Sequence, residues 1–172
     1  MPPKLKAFVA AVAVTLPLDQ LSKAWIAANL SYADRISVIE GFFYITHVRN
    51  PGAAFGMFTD TPADIRLPFF IGVSILAVGI IVSFYRKLAP GDRREALTLG
   101  LILGGALGNL IDRIFRAEVV DFLHFRLWSG YSWPDFNFAD SFIVVGVALL
   151  LLELLASEGE SRSAAAPQAD DD

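Results

Sequence analysis

The chain has no cysteine at all. That excludes disulfides, thiolate metal ligands and a thiol nucleophile, and it leaves the redox compartment open. Histidine is almost as scarce, with only His47 and His124. No H-E-x-x-H or similar ligand spacing occurs, which argues against a zinc hydrolase. There is no G-x-S-x-G elbow to present a nucleophilic serine. Charged residues make up 19% of the chain with a net charge of −4, and nothing resembles a basic nucleic-acid footprint. No long-period repeat and no pair of inverted halves is visible.

Apolar residues fill the space these leave. They make up 55% of the 172 residues, and the mean hydropathy is +0.53. Both are high for a soluble domain and point to the membrane class. Four runs, at about 7–28, 66–85, 95–114 and 137–156, each approach the ~20 residues needed to cross ~30 Å of hydrocarbon. A backbone inside lipid must satisfy its own hydrogen bonds, so all four read as helices. The first run also has a rival reading, because two lysines followed by an apolar stretch resemble a signal peptide. Asp19, Gln20 and Lys23 interrupt the place where a cleavage site would fall, so an uncleaved first helix is expected. The expected fold is therefore an all-α membrane protein with four transmembrane helices in a single domain, 1–156. An acidic tail, 157–172, is expected to be disordered and cytoplasmic.

Lys4 and Lys6 precede the first span, and Arg86, Lys87, Arg93 and Arg94 crowd the link between spans two and three. The positive-inside rule puts both on the cytoplasmic side, along with both termini. The segments 31–65 and 115–136 then face outward. The first is β-branched and aromatic before it breaks at Asn50-Pro51-Gly52, which predicts one or two short strands and a turn. The second carries Trp128, Tyr131 and Trp133, suited to the headgroup level as anchors and as the rim of a site. A small extracytoplasmic, β-containing region is therefore expected above the helices.

The polar residues inside the spans share a depth. Counting from Ala7 at 1.5 Å per residue, Asp19 lies about 18 Å in and Lys23 about 24 Å, on one helix face. Asn109, Asp112 and Arg113 come at the outer end of span three, with Asp121 shortly after it. Asn137 and Asp140 open span four. Each has a bland explanation: an intrahelical ion pair for Asp19 and Lys23, a water-interface marker for Asp112 and Arg113, a turn for Asn50 to Gly52. Gly100, Gly104 and Gly108 form a small-xxx-small stripe that reads as helix packing. Glu153, near the inner end of span four, reads as structural. None of these explanations accounts for the convergence at one depth.

Several chemistries remain open there. Ser141 with His124 is one arrangement; Ser22 beside Lys23 is a poor dyad, since helix neighbours point apart. Two close carboxylates in a partly dry site would share one proton, as in aspartic proteolysis. Asp121 and Asp140 are candidates, Asp112 and Asp135 are substitutes, and a carboxylate metal site stays possible. Intramembrane carboxylates also suit a small ion- or proton-coupled transporter, although transporters tend to carry repeats and midplane sites. A non-catalytic partner held by its glycine face is a third class.

Five stretches occur in order: "DQLSK" at 19–23, "NPGAAFG" at 50–56, "GGALGNLIDR" at 104–113, "VVDF" at 119–122 and "FNFADS" at 136–141. With them the chain resembles the bacterial lipoprotein signal peptidases, signal peptidase II, four-span aspartic proteases of the inner membrane. The resemblance implies an enzyme that removes the signal peptide of a prolipoprotein, cutting before a cysteine that already carries diacylglycerol. It implies Asp121 and Asp140 as the catalytic pair. Asn50, Gly52, Asn109, Arg113 and Asn137 would bind substrate or support the dyad, and Asp19 with Lys23 would form a supporting polar pair. It implies no metal and no organic cofactor, membrane lipids as surroundings, and inhibition by globomycin-type cyclic peptides.

Overall fold

In the computed structural model, residues 1–52, 58 and 61–165 are described. Ala53 to Gly56 of the "NPGAAFG" stretch and the last seven residues of the tail lie outside them. Among the described residues, four helices are long and apolar enough to cross a membrane. They are α1 (Pro3–Asn29), α2 (Ala63–Lys87), α3 (Arg93–Arg116) and α4 (Phe138–Ala165). Proline stands in the first turn of α1, where a missing N–H costs nothing. Helix α4 continues past the hydrophobic run to Ala165.

α3 is the central helix and packs against the other three. Its glycines explain how. A Cβ on Gly100 would strike Ala11 and Phe8, one on Gly104 would strike Thr15, and one on Gly108 would strike Asp19. The steps 11, 15, 19 match 100, 104, 108, so α1 and α3 run parallel with one turn of each set against one turn of the other. Gly105 faces the backbone oxygen of Ala139, and Gly146 faces Ile102 and the Thr98 backbone oxygen, so α4 runs antiparallel to α3. Leu99, Ile102 and Leu103 of α3 close a core with Ile81 of α2, against Phe8 and Val12 of α1. The outward faces carry large apolar side chains, such as Leu76 at 64% and Val144 at 67% exposure. This inverts the pattern of a water-soluble protein and suits lipid.

Above the helices sits an antiparallel three-stranded sheet in the order β1 (Arg35–Ile39), β2 (Phe43–Asn50), β3 (Val119–Phe125). The first two match the strands expected between spans one and two. The third lies where a loop was expected, and it carries Asp121. Val119, Val120, Asp121 and Phe122 are all buried, so the two-residue alternation that marks a half-exposed strand is missing. Val120 and Phe122 pack with Ile26 of α1, which seats the sheet on the helix ends. The segment before α4 adds to the outer edge of β3, with hydrogen bonds between Leu123 and Phe136 and between Trp133 N–H and Phe125 O.

Candidate active site

Residues from all four helices and from β2 and β3 meet beneath the sheet. Asn50 closes β2 opposite Val119, so Asp121, two residues further along β3, is its diagonal neighbour on the same face. Asn50 Nδ2 donates to Asp121 Oδ2 at 3.0 Å. On the other side, Asn137 Nδ2 donates to Asp121 Oδ1 at 2.6 Å.

Asn137 also starts α4. Its Oδ1 accepts from Asp140 N–H at 3.0 Å, while Asp140 Oδ2 accepts from Asn137 N–H at 3.3 Å. This is a reciprocal capping box, which satisfies backbone donors at the helix start and sets the Asp140 side chain. Asn109, from α3, donates to Asp140 Oδ1 at 2.7 Å. The "FNFAD" stretch is thus a helix start and an acid holder in one.

The orientation of each amide is set by what its oxygen accepts. Asn109 Oδ1 takes Lys23 Nζ at 2.8 Å and Asn137 Nδ2 at 3.3 Å, so its NH2 faces Asp140. Asn50 Oδ1 takes Gly52 N–H at 3.0 Å in an Asx turn, so its NH2 faces Asp121. Asn137 Oδ1 caps its own helix, so its NH2 faces Asp121 and Asn109. Each carboxylate therefore receives two donors, and each donor is pinned from behind.

Asp121 and Asp140 line one cavity of about 310 Å³ with Asn50, Gly52, Asn109 and Arg113. Burial first, and the neighbouring Asp140 carboxylate second, push the Asp121 carboxyl up from 3.8 to about 7, against the opposing pull of the Asn50 and Asn137 hydrogen bonds. One acid of the pair can then hold a proton near neutrality. Arg113 places its guanidinium beside the Gly52 carbonyl at 3.4 Å and over the Phe70 ring at 5.5 Å.

Asp19 and Lys23 are more than an ion pair. Both are wholly buried, 2.9 Å apart, and Lys23 also meets Asp112 at 3.2 Å. Asp19 Oδ1 accepts Ala139 N–H at 2.9 Å, a second hold on the start of α4. Asp112 is not at the water interface. Fully buried, it accepts Val120 N–H at 3.1 Å and pairs with Arg116, so it serves the sheet. The other candidates are held by other partners, and Asp135 alone among them lines the same cavity as Asp121 and Asp140. Ser141 Oγ donates to Asn137 O at 2.9 Å, and Ser22 Oγ donates to Asp19 O at 2.8 Å. His124 lies 3.2 Å from Asp135, whose other oxygen accepts the Thr46 hydroxyl at 2.6 Å. Thr98 reaches Glu153 near the inner end.

Two carboxylates from separate segments, in one cavity where the Asp121 carboxyl is raised to about 7, are the arrangement of an acid–base pair. The family described as Signal peptidase (SPase) II matches residues 11–156. The chain belongs to the signal peptidase II family. It is 47% identical over 158 residues to the Lipoprotein signal peptidase of Geobacter sulfurreducens, covering 92% of this chain and 97% of that one. It is 44% identical over 142 residues to that of Bacillus pumilus, with 83% and 88% covered. A bacterial membrane enzyme solved by the in meso method at 2.3 Å resolution shares the fold, with a TM-score of 0.78 and 32% identity over 94% of this chain and 93% of that one. The transporter alternative has no support among these relatives.

Within this signal peptidase II chain, sequence reasoning passed over two members of the buried network. Gln20 Nε2 donates to Gly108 O at 3.0 Å and to Asp19 Oδ2 at 3.1 Å, and Arg116 reaches Gln20 Oε1 at 3.3 Å. Their signal was available: Arg116 stands four residues after Asp112 and Gln20 sits inside "DQLSK". Thr46 had none, because it joins Asp135, a candidate 89 residues further along the chain, only through the fold.

Proposed function

We propose that this signal peptidase II chain is a membrane-embedded aspartic endopeptidase. It removes the signal peptide from diacylglyceryl-modified prolipoproteins, cutting before the lipidated cysteine, with Asp121 and Asp140 as its catalytic dyad. The observation that carries the proposal is the shared cavity, in which the two acids are held by separately anchored amides and the Asp121 carboxyl is raised to about 7.

In this mechanism the ionised acid takes a proton from water as the oxygen attacks the scissile carbonyl carbon. The protonated acid gives its hydrogen to the carbonyl oxygen, which yields a neutral tetrahedral diol. On collapse the acid that took the proton from water passes it to the amine nitrogen as the C–N bond breaks, and a diol hydroxyl returns its proton to the other acid, so the dyad again holds one proton and no acyl-enzyme forms. Asn50, Asn109 and Asn137 hold the dyad, and Arg113 with the Gly52 turn holds substrate backbone. Asp19 and Lys23 tie α1 to the site. The chemistry calls for no metal and no organic cofactor, and activity is expected to survive a chelator. Cyclic peptides of the globomycin type would compete for the dyad.

The basic residues flanking α1 and linking α2 to α3 support cytoplasmic termini and a site near the outer leaflet of the bacterial inner membrane. There a substrate whose lipid stays in the bilayer meets the dyad by lateral diffusion. The test is cleavage by the purified protein of a diacylated prolipoprotein and of its unlipidated form. Only the first is cut, and Asp121→Asn and Asp140→Asn each lose about 10²–10⁴-fold in turnover while staying folded. Near-wild-type cleavage by either variant removes that residue from the dyad.

A further inference from the structure

A second cavity adjoins the first. It measures about 370 Å³ and is lined by Trp133, Phe136, Asp140, Ser141, Val144 and Val145. Trp133, Phe136 and Asp140 line both cavities, so the two chambers meet at Asp140 and share an aromatic wall.

Their chemistry differs. The dyad chamber presents amides, an arginine and three acids, Asp121, Asp135 and Asp140. The second offers almost nothing polar, because the Ser141 hydroxyl is turned back onto Asn137 O and both oxygens of Asp140 are taken by Asn109 and Asn137. Val144 lies one helical turn beyond Asp140, about 6 Å further into the span. The groove therefore leaves the dyad and descends along α4 in the direction of the hydrocarbon.

We propose that this groove is the acyl subsite: it receives a fatty-acyl chain of the substrate's diacylglyceryl group while the peptide lies in the polar chamber. The assignment rests on the peptidase reading above and deepens it. The size favours this occupant over the hydrophobic segment of the signal peptide. A helix about 10 Å across fills roughly 120 Å³ per residue, so 370 Å³ would take only about three residues of one. A flexible hydrocarbon chain fits such a slot. The branch point of the substrate also matches the geometry, since the lipid hangs from the residue beside the scissile bond and the groove opens beside the acid that would act on it.

Val144 and Val145 are 67% and 50% exposed, so Val144→Trp and Val145→Trp fill the groove without overpacking the protein core. The test compares kcat/KM for a prolipopeptide carrying two palmitoyl chains with that for the same peptide carrying two acetyl groups. In the wild type the long-chain substrate is preferred. Each tryptophan variant lowers the long-to-short ratio about tenfold, mainly through KM, whereas Leu76→Trp on the lipid-facing side of α2 leaves it unchanged. A ratio that neither variant moves overturns the acyl subsite. An equal rise in KM for both substrates assigns the groove to the signal peptide instead and also overturns it. If the wild type cuts neither substrate, the peptidase reading itself falls, and this assignment with it.

Discussion

At the scale of single residues, the site works because each charged group meets a partner whose own orientation is already settled. Asp121 is the exposed flank of that arrangement in energetic terms. Its carboxyl is pushed from 3.8 to about 7 by burial and by Asp140. Between about pH 4 and pH 7 the folded protein keeps a proton that the unfolded chain has released. The contribution of Asp121 to stability therefore declines as pH rises through that window and is level above it. Thermal melting of the wild type against Asp121→Asn should show a steeper slope in the wild type than in the variant. A difference that grows in favour of the wild type toward neutral pH contradicts it. Turnover should fall on the alkaline side of about pH 7, as the dyad loses its one proton. Lys23 is the opposite case. Wholly buried between Asp19 and Asp112, it neutralises two acids that have no water around them. Lys23→Ala takes the cation from Asp19 and leaves Asp112 only Arg116, and should cost about 3–5 kcal/mol of stability. An unchanged melting temperature would show that the acids find another partner.

At the scale of elements, small residues set the distances. Gly105 lets the start of α4 rest on α3, and a Cβ there would run into the Ala139 backbone oxygen, which cannot rotate away. Gly105→Ala should cost about 1–3 kcal/mol and lower turnover as well, because Asp140 moves with the helix start. Gly72→Ala on α2, where a Cβ meets open space, should leave both stability and turnover near wild type. Equal behaviour of the two variants would mean that the α3–α4 contact is not what positions the acid. At this scale the sequence was partly legible. The stripe at 100, 104 and 108 read correctly as a packing face. Gly105 escaped, since one turn of a helix shows its period only on the face that repeats. Strand β3 escaped for the related reason that a fully buried strand does not alternate.

At the scale of the whole molecule, four spans carry a small sheet on one end, and the polar network lies between the two. The expected orientation puts that end outside. The absence of cysteine makes this directly testable, because a single introduced thiol is the only one present. A membrane-impermeant maleimide added to spheroplasts should label Tyr32→Cys at once. Gly91→Cys, on the link between α2 and α3, should react only after the membrane is opened. The reverse pattern would invert the topology and place the site on the cytoplasmic side.

The sequence by itself determined the membrane class, the four spans, the depth at which polar residues gather and the identity of the motifs, because hydropathy, length and helical period act locally along the chain. It left open which acids face one another. Asp112 and Asp121 are nine residues apart and looked interchangeable, yet one is bound to Lys23 and Arg116 beneath the sheet while the other lines the cavity with Asp140. Only the packed structure separates them. The choice depends on where β3 crosses the ends of α1 and α3 and on which amide reaches which oxygen, and those contacts join residues up to 120 positions apart.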